Sequence, residues 1–267
     1  MDPQPRTVGA ARGWAWIVEG FQLFLRSPAL FVALLLILFI AKKVLYMIPF
    51  LGLAALLSIV AVLLMPVFVV GLMDGCRSLD QGGKLELGHL MKGFQKNPGQ
   101  LVTIGGISLV GNLVILMVIV AIGGDSMTAM ARTLSENPTI TPQMAEQLQA
   151  ATMNVAKAAL IGATLSLPLL MALWFAPLLV YFNDTRPFEA MKLSFVACLK
   201  NALPMLVYGA VLFIGLMVLV PIGVRFKEYD LGLWLLAPVL VPSIYTSYKD
   251  LFAAARAGER AGPFLSS

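Results

Sequence analysis

Three places in this sequence set a carboxylate beside a cation where an apolar run ends: Asp74 with Arg77, Asp184 with Arg186, and Lys249 with Asp250. Charged pairs at a membrane edge can cap helix ends, or they can hold a lipid headgroup or a charged loop of a partner. No hydrolase or protease motif accompanies them, so no catalytic residue is assigned and the chain is expected not to be an enzyme. His89 is the one histidine, which excludes a multi-histidine metal site, and it reads as a solvated residue of a surface helix. Neither a metal nor a cofactor is expected. Gly82-Gly83-Lys84 lacks the spacing and the preceding strand of a phosphate-binding loop and reads as a turn. Asn112 is the one strongly polar residue in the interior of its span; it can bind a solute, but a hydrogen bond to a neighbouring helix is the favoured reading. No acidic residue lies deep in an apolar run, which argues against proton-coupled transport.

The elements that position these residues follow from composition. The chain has 267 residues, 59% hydrophobic and only 12% charged, about half the charged share of a soluble domain. Six uncharged, mostly apolar runs cover 27–41, 47–73, 97–124, 158–183, 201–224 and 231–248. Spanning a bilayer takes about 17–25 helical residues, and five runs reach that unaided. The first needs its helix to continue through Lys42 and Lys43 to about Ile48, with both lysines snorkelling to the headgroups. It reads as a retained span rather than a removed signal peptide. The fold class is therefore all-α: a polytopic membrane protein with six transmembrane helices.

Six spans put the N-terminus, the loops at 74–96 and 184–200 and the C-terminal tail on one side. That side carries thirteen of the 19 lysines and arginines, and by the positive-inside rule both termini are expected in the cytoplasm. The excess of positive charge then faces anionic lipid; the basic residues form no patch with interleaved aromatics, so nucleic acid is not an expected partner. Cys76 and Cys198 fall on this side in surface segments and read as free, reduced thiols.

Three amphipathic helices are expected to lie along the cytoplasmic face. The first, over 13–26, places Trp14, Ile17, Phe21 and Phe24 on one face, with Trp14 and Trp16 as interfacial anchors. The second places Leu87, Leu90, Met91 and Phe94 together and points His89, Lys92, Gln95 and Lys96 away. The third groups Phe188, Met191, Phe195 and Cys198. Each precedes a pair of spans, and the prolines recur in step: 38 residues separate Pro28 from Pro66 and again Pro204 from Pro242, and eight separate Pro66 from Asp74 and Pro242 from Asp250. We read a single membrane domain over 1–267, built from three repeats at about 13–80, 84–186 and 187–252. The middle unit carries a periplasmic insertion at 123–156, a loop with a helix beginning after Thr141-Pro142; the tail, 253–267, is expected to be partly disordered. Repeats of this kind often place a site at their interface.

Gly13-Trp14 with Ile17 to Phe24, the run from Gly71 to Arg77, residues 85–99 and Met171 to Pro177 carry a resemblance over nearly the whole chain. The pattern resembles an uncharacterised family of six-span bacterial inner-membrane proteins, best represented among betaproteobacteria. More distantly it is similar to the membrane domain of some glycerophosphoryl diester phosphodiesterases, whose catalytic domain is absent here. The resemblance implies location and fold, and no activity. The expected function is that of a non-enzymatic inner-membrane protein that handles or organises envelope lipids or assists a membrane complex. The expected partners are membrane lipids, and with them another membrane protein or a second copy. A transporter or channel for a small or amphipathic solute is the alternative.

Overall fold

The six apolar runs are helical in the computed structural model, which describes residues 4–136, 141–228 and 230–253, and one of them, 158–183, is divided between two helices. The helices are α1 (Arg12–Leu25), α2 (Pro28–Tyr46), α3 (Leu51–Asp80), α4 (Lys92–Gln95, continuing a 3-10 turn Leu87–Met91), α5 (Pro98–Glu136), α6 (Pro142–Trp174), α7 (Ala176–Asn183), α8 (Pro187–Lys200), α9 (Ala202–Arg225) and α10 (Leu231–Tyr248, running into a π-helical turn Lys249–Ala253). Among the described residues there is no strand, and six helical stretches are long and apolar enough to cross a membrane. The protein is all-helical and polytopic. The chain divides into two compact units, Met1–Gly105 with Ala172–Ser267, and Gly106–Met171.

In the larger unit α10 is the central helix: half of its spanning window is buried, against 11% in α9 and 17% in α2. α1 packs along α10 and α9 rather than lying apart from them. Glycine makes that possible. A Cβ on Gly13 would stand 2.2 Å from the Pro204 carbonyl oxygen, and one on Gly20 2.5 Å from the Ser243 backbone nitrogen. Trp16 sits between these two glycines on the same face and is 0% exposed, whereas Trp14 is 55% exposed. The expected pair of interfacial tryptophans is therefore corrected: Trp16 is a core residue, because a face lined by Gly13, Gly20 and Ile17 meets two helices at backbone distance.

The same geometry corrects the second surface segment. Gly71 meets the carbonyls of His89 and Leu90, and Gly75 meets Leu85, so the 85–91 segment crosses α3 closely. His89 is turned inward and buried rather than solvated, while Leu87, Met91 and Phe94 are exposed. In α8 the buried face is Ala190, Ser194, Ala197 and Cys198, and Phe188 is outside. Gly105 packs on Leu63, the close approach expected of its run.

Pro66, Pro168, Pro221, Pro238 and Pro242 sit inside continuous helices. Pro177 instead coincides with a break between α6 and α7 at Phe175, whose N–H donates to the Ser194 hydroxyl at 2.9 Å. A side chain from α8 thus satisfies the backbone group that the break frees. At the opposite ends of the helices, Lys42 pairs with Asp230 and Lys43 with Glu228, and the Trp234 indole donates to Asp230 at 3.1 Å. The two lysines that interrupt the first apolar run thus have carboxylate partners at the helix end. Lys42, foremost, holds the Asp230 carboxyl below its ordinary value.

The smaller unit pairs the remainder of α5 with that of α6. Gly162 accommodates Ile119, Gly123 accommodates Ala158, and Asn154 donates to Ser126 at 3.4 Å. Residues 123–136, expected as loop, are helical; at about 1.5 Å per residue the 39-residue α5 is roughly twice as long as a bilayer's hydrocarbon core is thick. α6 begins as expected, with Thr141 accepting the Met144 N–H at 3.3 Å. Asn137-Pro138-Thr139, most of the tail and Tyr229 lie outside the described residues.

Both cysteines are buried, Cys76 fully so, which corrects their expected exposure. Burial pushes the Cys198 thiol up to about 12. Two outcomes follow. Replacing Gly20 with Leu forces α1 off the Ser243 backbone and should lower stability by about 1–3 kcal/mol, read as a fall in thermal midpoint in detergent; an unchanged midpoint would refute the close seating of α1. Maleimide should label neither cysteine in the folded protein and both after denaturation, counted by intact mass.

Candidate functional site

α10 ends by widening from the α to the π hydrogen-bonding pattern over Lys249–Ala253, a change of register often met at functional positions. Here it separates two neighbouring charges. Lys249 reaches across to α3 and donates to Asp80 at 2.8 Å, where the Tyr245 hydroxyl also donates at 3.1 Å. Asp250 points inward, its side chain only 6% exposed. Arg12 Nε donates to its Oδ2 at 2.6 Å and Trp16 Nε1 to the same atom at 2.8 Å, and Arg6 pairs with Oδ1. A carboxylate taken from water needs this many donors, because an uncompensated buried charge costs several kcal/mol.

The segment before α1 is tied down by the same cluster. Arg6 N–H donates to the Leu251 carbonyl at 3.0 Å. The Asn201 side chain, 1% exposed, accepts the Val8 N–H at 2.9 Å and donates to the Arg6 carbonyl at 3.0 Å. Arg12 continues outward to Glu19, with contacts of 2.9 and 3.3 Å. Arg26, at the end of α1, donates to the Leu79 carbonyl at 2.8 Å.

These residues enclose an open groove of about 370 Å³, lined from α1 by Arg12, Glu19, Gln22, Leu23 and Arg26, from α3 by Asp80, and from the end of α10 by Thr246, Lys249 and Asp250. A second groove, of about 200 Å³, shares Asp80 and Lys249 and adds Arg77, Gln81, Phe182, Asn183, Tyr245 and Tyr248. Arg77 stands over the Phe182 ring at 5.2 Å. The grooves offer donors and acceptors of both signs at one end of the helices, an arrangement that can hold a small charged group by hydrogen bonds on several sides.

The sequence-marked residues distribute as follows. Arg77, Lys249 and Asp250 line the two adjoining grooves. Asp74 lies one turn further back, accepting the Tyr181 hydroxyl at 3.2 Å with His89 Nε2 at 3.8 Å. His89 Nδ1 lies 3.0 Å from both the backbone nitrogen and the carbonyl oxygen of Glu86, which fixes the ring with Nε2 toward Asp74. Asp184, in the left-handed region at φ 56°, pairs with Lys96 at 3.0 Å and accepts from Asn97 at 2.8 Å; Lys96, foremost, holds its carboxyl below the ordinary value. Arg186 is exposed, and it and Asp184 line neither groove. Asn112 is exposed and donates to the Ser108 carbonyl of its own helix at 2.8 Å. The three sequence neighbours expected to pair make none of the ion pairs seen among the described residues; Asp184 and Asp250 instead find cations from other segments, and Asp74 meets the Tyr181 hydroxyl and the His89 ring. Sequence reasoning missed Asp80, Glu19, Arg26 and Trp16. Asp80 was the most readable of these, being less than two turns past Asp74 on the same helix. Among the described residues, no group of histidine, cysteine and acidic side chains could hold a metal ion.

A probable inner membrane protein of Burkholderia thailandensis is 29% identical to this chain over 268 residues, with 94% of each chain covered. No family model matches the chain, and no solved structure matches it; the likeness to a phosphodiesterase membrane domain rests on the quoted residues alone. With six apolar helices of spanning length, a near full-length relative of that name makes this chain a multi-pass protein of the bacterial inner membrane.

Proposed function

We propose that the protein is a non-enzymatic inner-membrane protein that holds a lipid headgroup in the groove between α1, α3 and the end of α10, both termini facing the cytoplasm. The observation that carries this reading is the groove itself: Arg26 and Lys249 open onto it beside Glu19 and Asp80, at the helix ends that the positive-inside bias assigns to the cytoplasmic headgroup layer. By holding a lipid there, the protein organises envelope lipid or presents it to a membrane complex. A transporter for a small amphipathic solute is the second reading, supported by the break at Phe175 between α6 and α7; Asn112, its candidate intramembrane ligand, is bonded within its own helix.

The test is native mass spectrometry of the protein extracted in mild detergent. The wild type should retain a stoichiometric phospholipid, and a variant carrying Arg26→Gln and Lys249→Gln should retain about tenfold less, a change of about 1.4 kcal/mol. Lys92→Gln, outside the groove, should match the wild type. Bulk lipid alone, equal in all three, would overturn the reading.

A further inference from the structure

Resting on that reading, we infer that the lipid is one with a phosphate and a primary ammonium in its headgroup, a phosphatidylethanolamine. Three cations and three carboxylates face the groove. Asp250 is saturated by Arg6, Arg12 and Trp16, and Arg12 is shared between Asp250 and Glu19. The other groups facing the groove are of both signs: Arg26 and Lys249 on one hand, Glu19, Asp80 and the Gln22 amide on the other, with Lys249 and Asp80 paired to each other at 2.7 Å, a pair that a zwitterionic headgroup would insert into by offering each a partner of the opposite sign. Arg26 has five donors and gives one to the Leu79 carbonyl, which leaves a fork for phosphate oxygens. Glu19 is 42% exposed despite its contacts with Arg12, so its carboxylate still faces the groove mouth.

This mixture discriminates among headgroups. Cardiolipin would bring a second phosphate against Glu19 and Asp80, a like-charge contact. Phosphatidylglycerol would bring only neutral hydroxyls to two carboxylates. Choline has no N–H to give, and it is recognised by aromatic faces; none of the nine residues lining this groove is aromatic. A primary ammonium carries three donors and a charge, which Glu19, Asp80 and Gln22 can accept while Arg26 and Lys249 hold the phosphate. A membrane lipid is favoured over a free headgroup because Phe21 and Leu25, one position before Gln22 and Arg26, stand 44% and 54% exposed, giving acyl chains an apolar path beside the groove.

The full-length protein is reconstituted in nanodiscs of equimolar phosphatidylethanolamine, phosphatidylglycerol and phosphatidylcholine, released in the gas phase and scored for retained lipid. Phosphatidylethanolamine should be retained about tenfold over either competitor. Glu19→Gln and Gln22→Leu, both at exposed positions and checked for an unchanged thermal midpoint, should each erase that preference while a lipid stays bound; Arg26→Gln should lower the retention of every lipid alike, by less than the tenfold loss of the double variant. Equal or greater retention of phosphatidylglycerol or phosphatidylcholine would overturn the inference and leave the lipid site standing. Full displacement by soluble phosphoethanolamine would overturn the membrane lipid as the ligand. Absence of any stoichiometric lipid would overturn both this inference and the reading it rests on.

Discussion

One buried carboxylate constrains this end of the protein. Asp250 lies just past α10, almost wholly out of water, where an ionised group is stable only if its lone pairs are taken up. The donors are Arg6, Arg12 and Trp16, and all come from the first sixteen residues. Meeting that need brings the N-terminal segment beneath α10 and lays α1 along it. The glycines then let the contact close to backbone distance, and Trp16 fills the space between them. With α1 seated, Glu19, Gln22 and Arg26 fall along the rim that faces Asp80 and Lys249. The groove follows from how the charge is compensated.

The other ion pairs obey the same logic of distance in sequence. Lys249 crosses to Asp80, Lys42 and Lys43 cross to Asp230 and Glu228, and Tyr181 and His89 converge on Asp74. Apolar side chains facing lipid provide little hydrophobic drive between helices in a bilayer, so polar contacts at the helix ends and close packing at glycines carry much of the specificity. Each end of the larger unit has such polar ties, and on the side of the termini they leave a charged concavity where headgroups would sit.

The sequence made the six spans legible because an apolar run of bilayer length has one dominant solution. The surface segments were harder. α1 has apolar residues on more than one face, and Trp14 and Phe21 suggested the wrong inner side; the readable signal was Gly13 and Gly20, seven apart, with Trp16 between them. Helical periodicity places His89 outward, but its segment is a 3-10 turn lying across Gly71 and Gly75, which turns the ring inward. The charged residues were found, but their pairing was not: adjacency in sequence pointed to Asp74 with Arg77 and to Asp184 with Arg186, while tertiary packing supplied Tyr181, His89 and Lys96 instead. Asp80 and Glu19 were passed over because each reads as an ordinary charge at the end of a helix or on its polar face. Only the fold sets them across from one another.

A photo-crosslinking amino acid is placed at Gln22, inside the groove, and another at Trp14, exposed on the same helix, and intact membranes are irradiated. A lipid held in the groove should give a stoichiometric covalent phospholipid adduct at position 22, since loss of the Gln22 amide leaves the lipid bound, and only a trace of adduct at position 14. Phospholipid adducts at position 22 no more abundant than at position 14, or adducts with protein alone, would refute a lipid held in this groove.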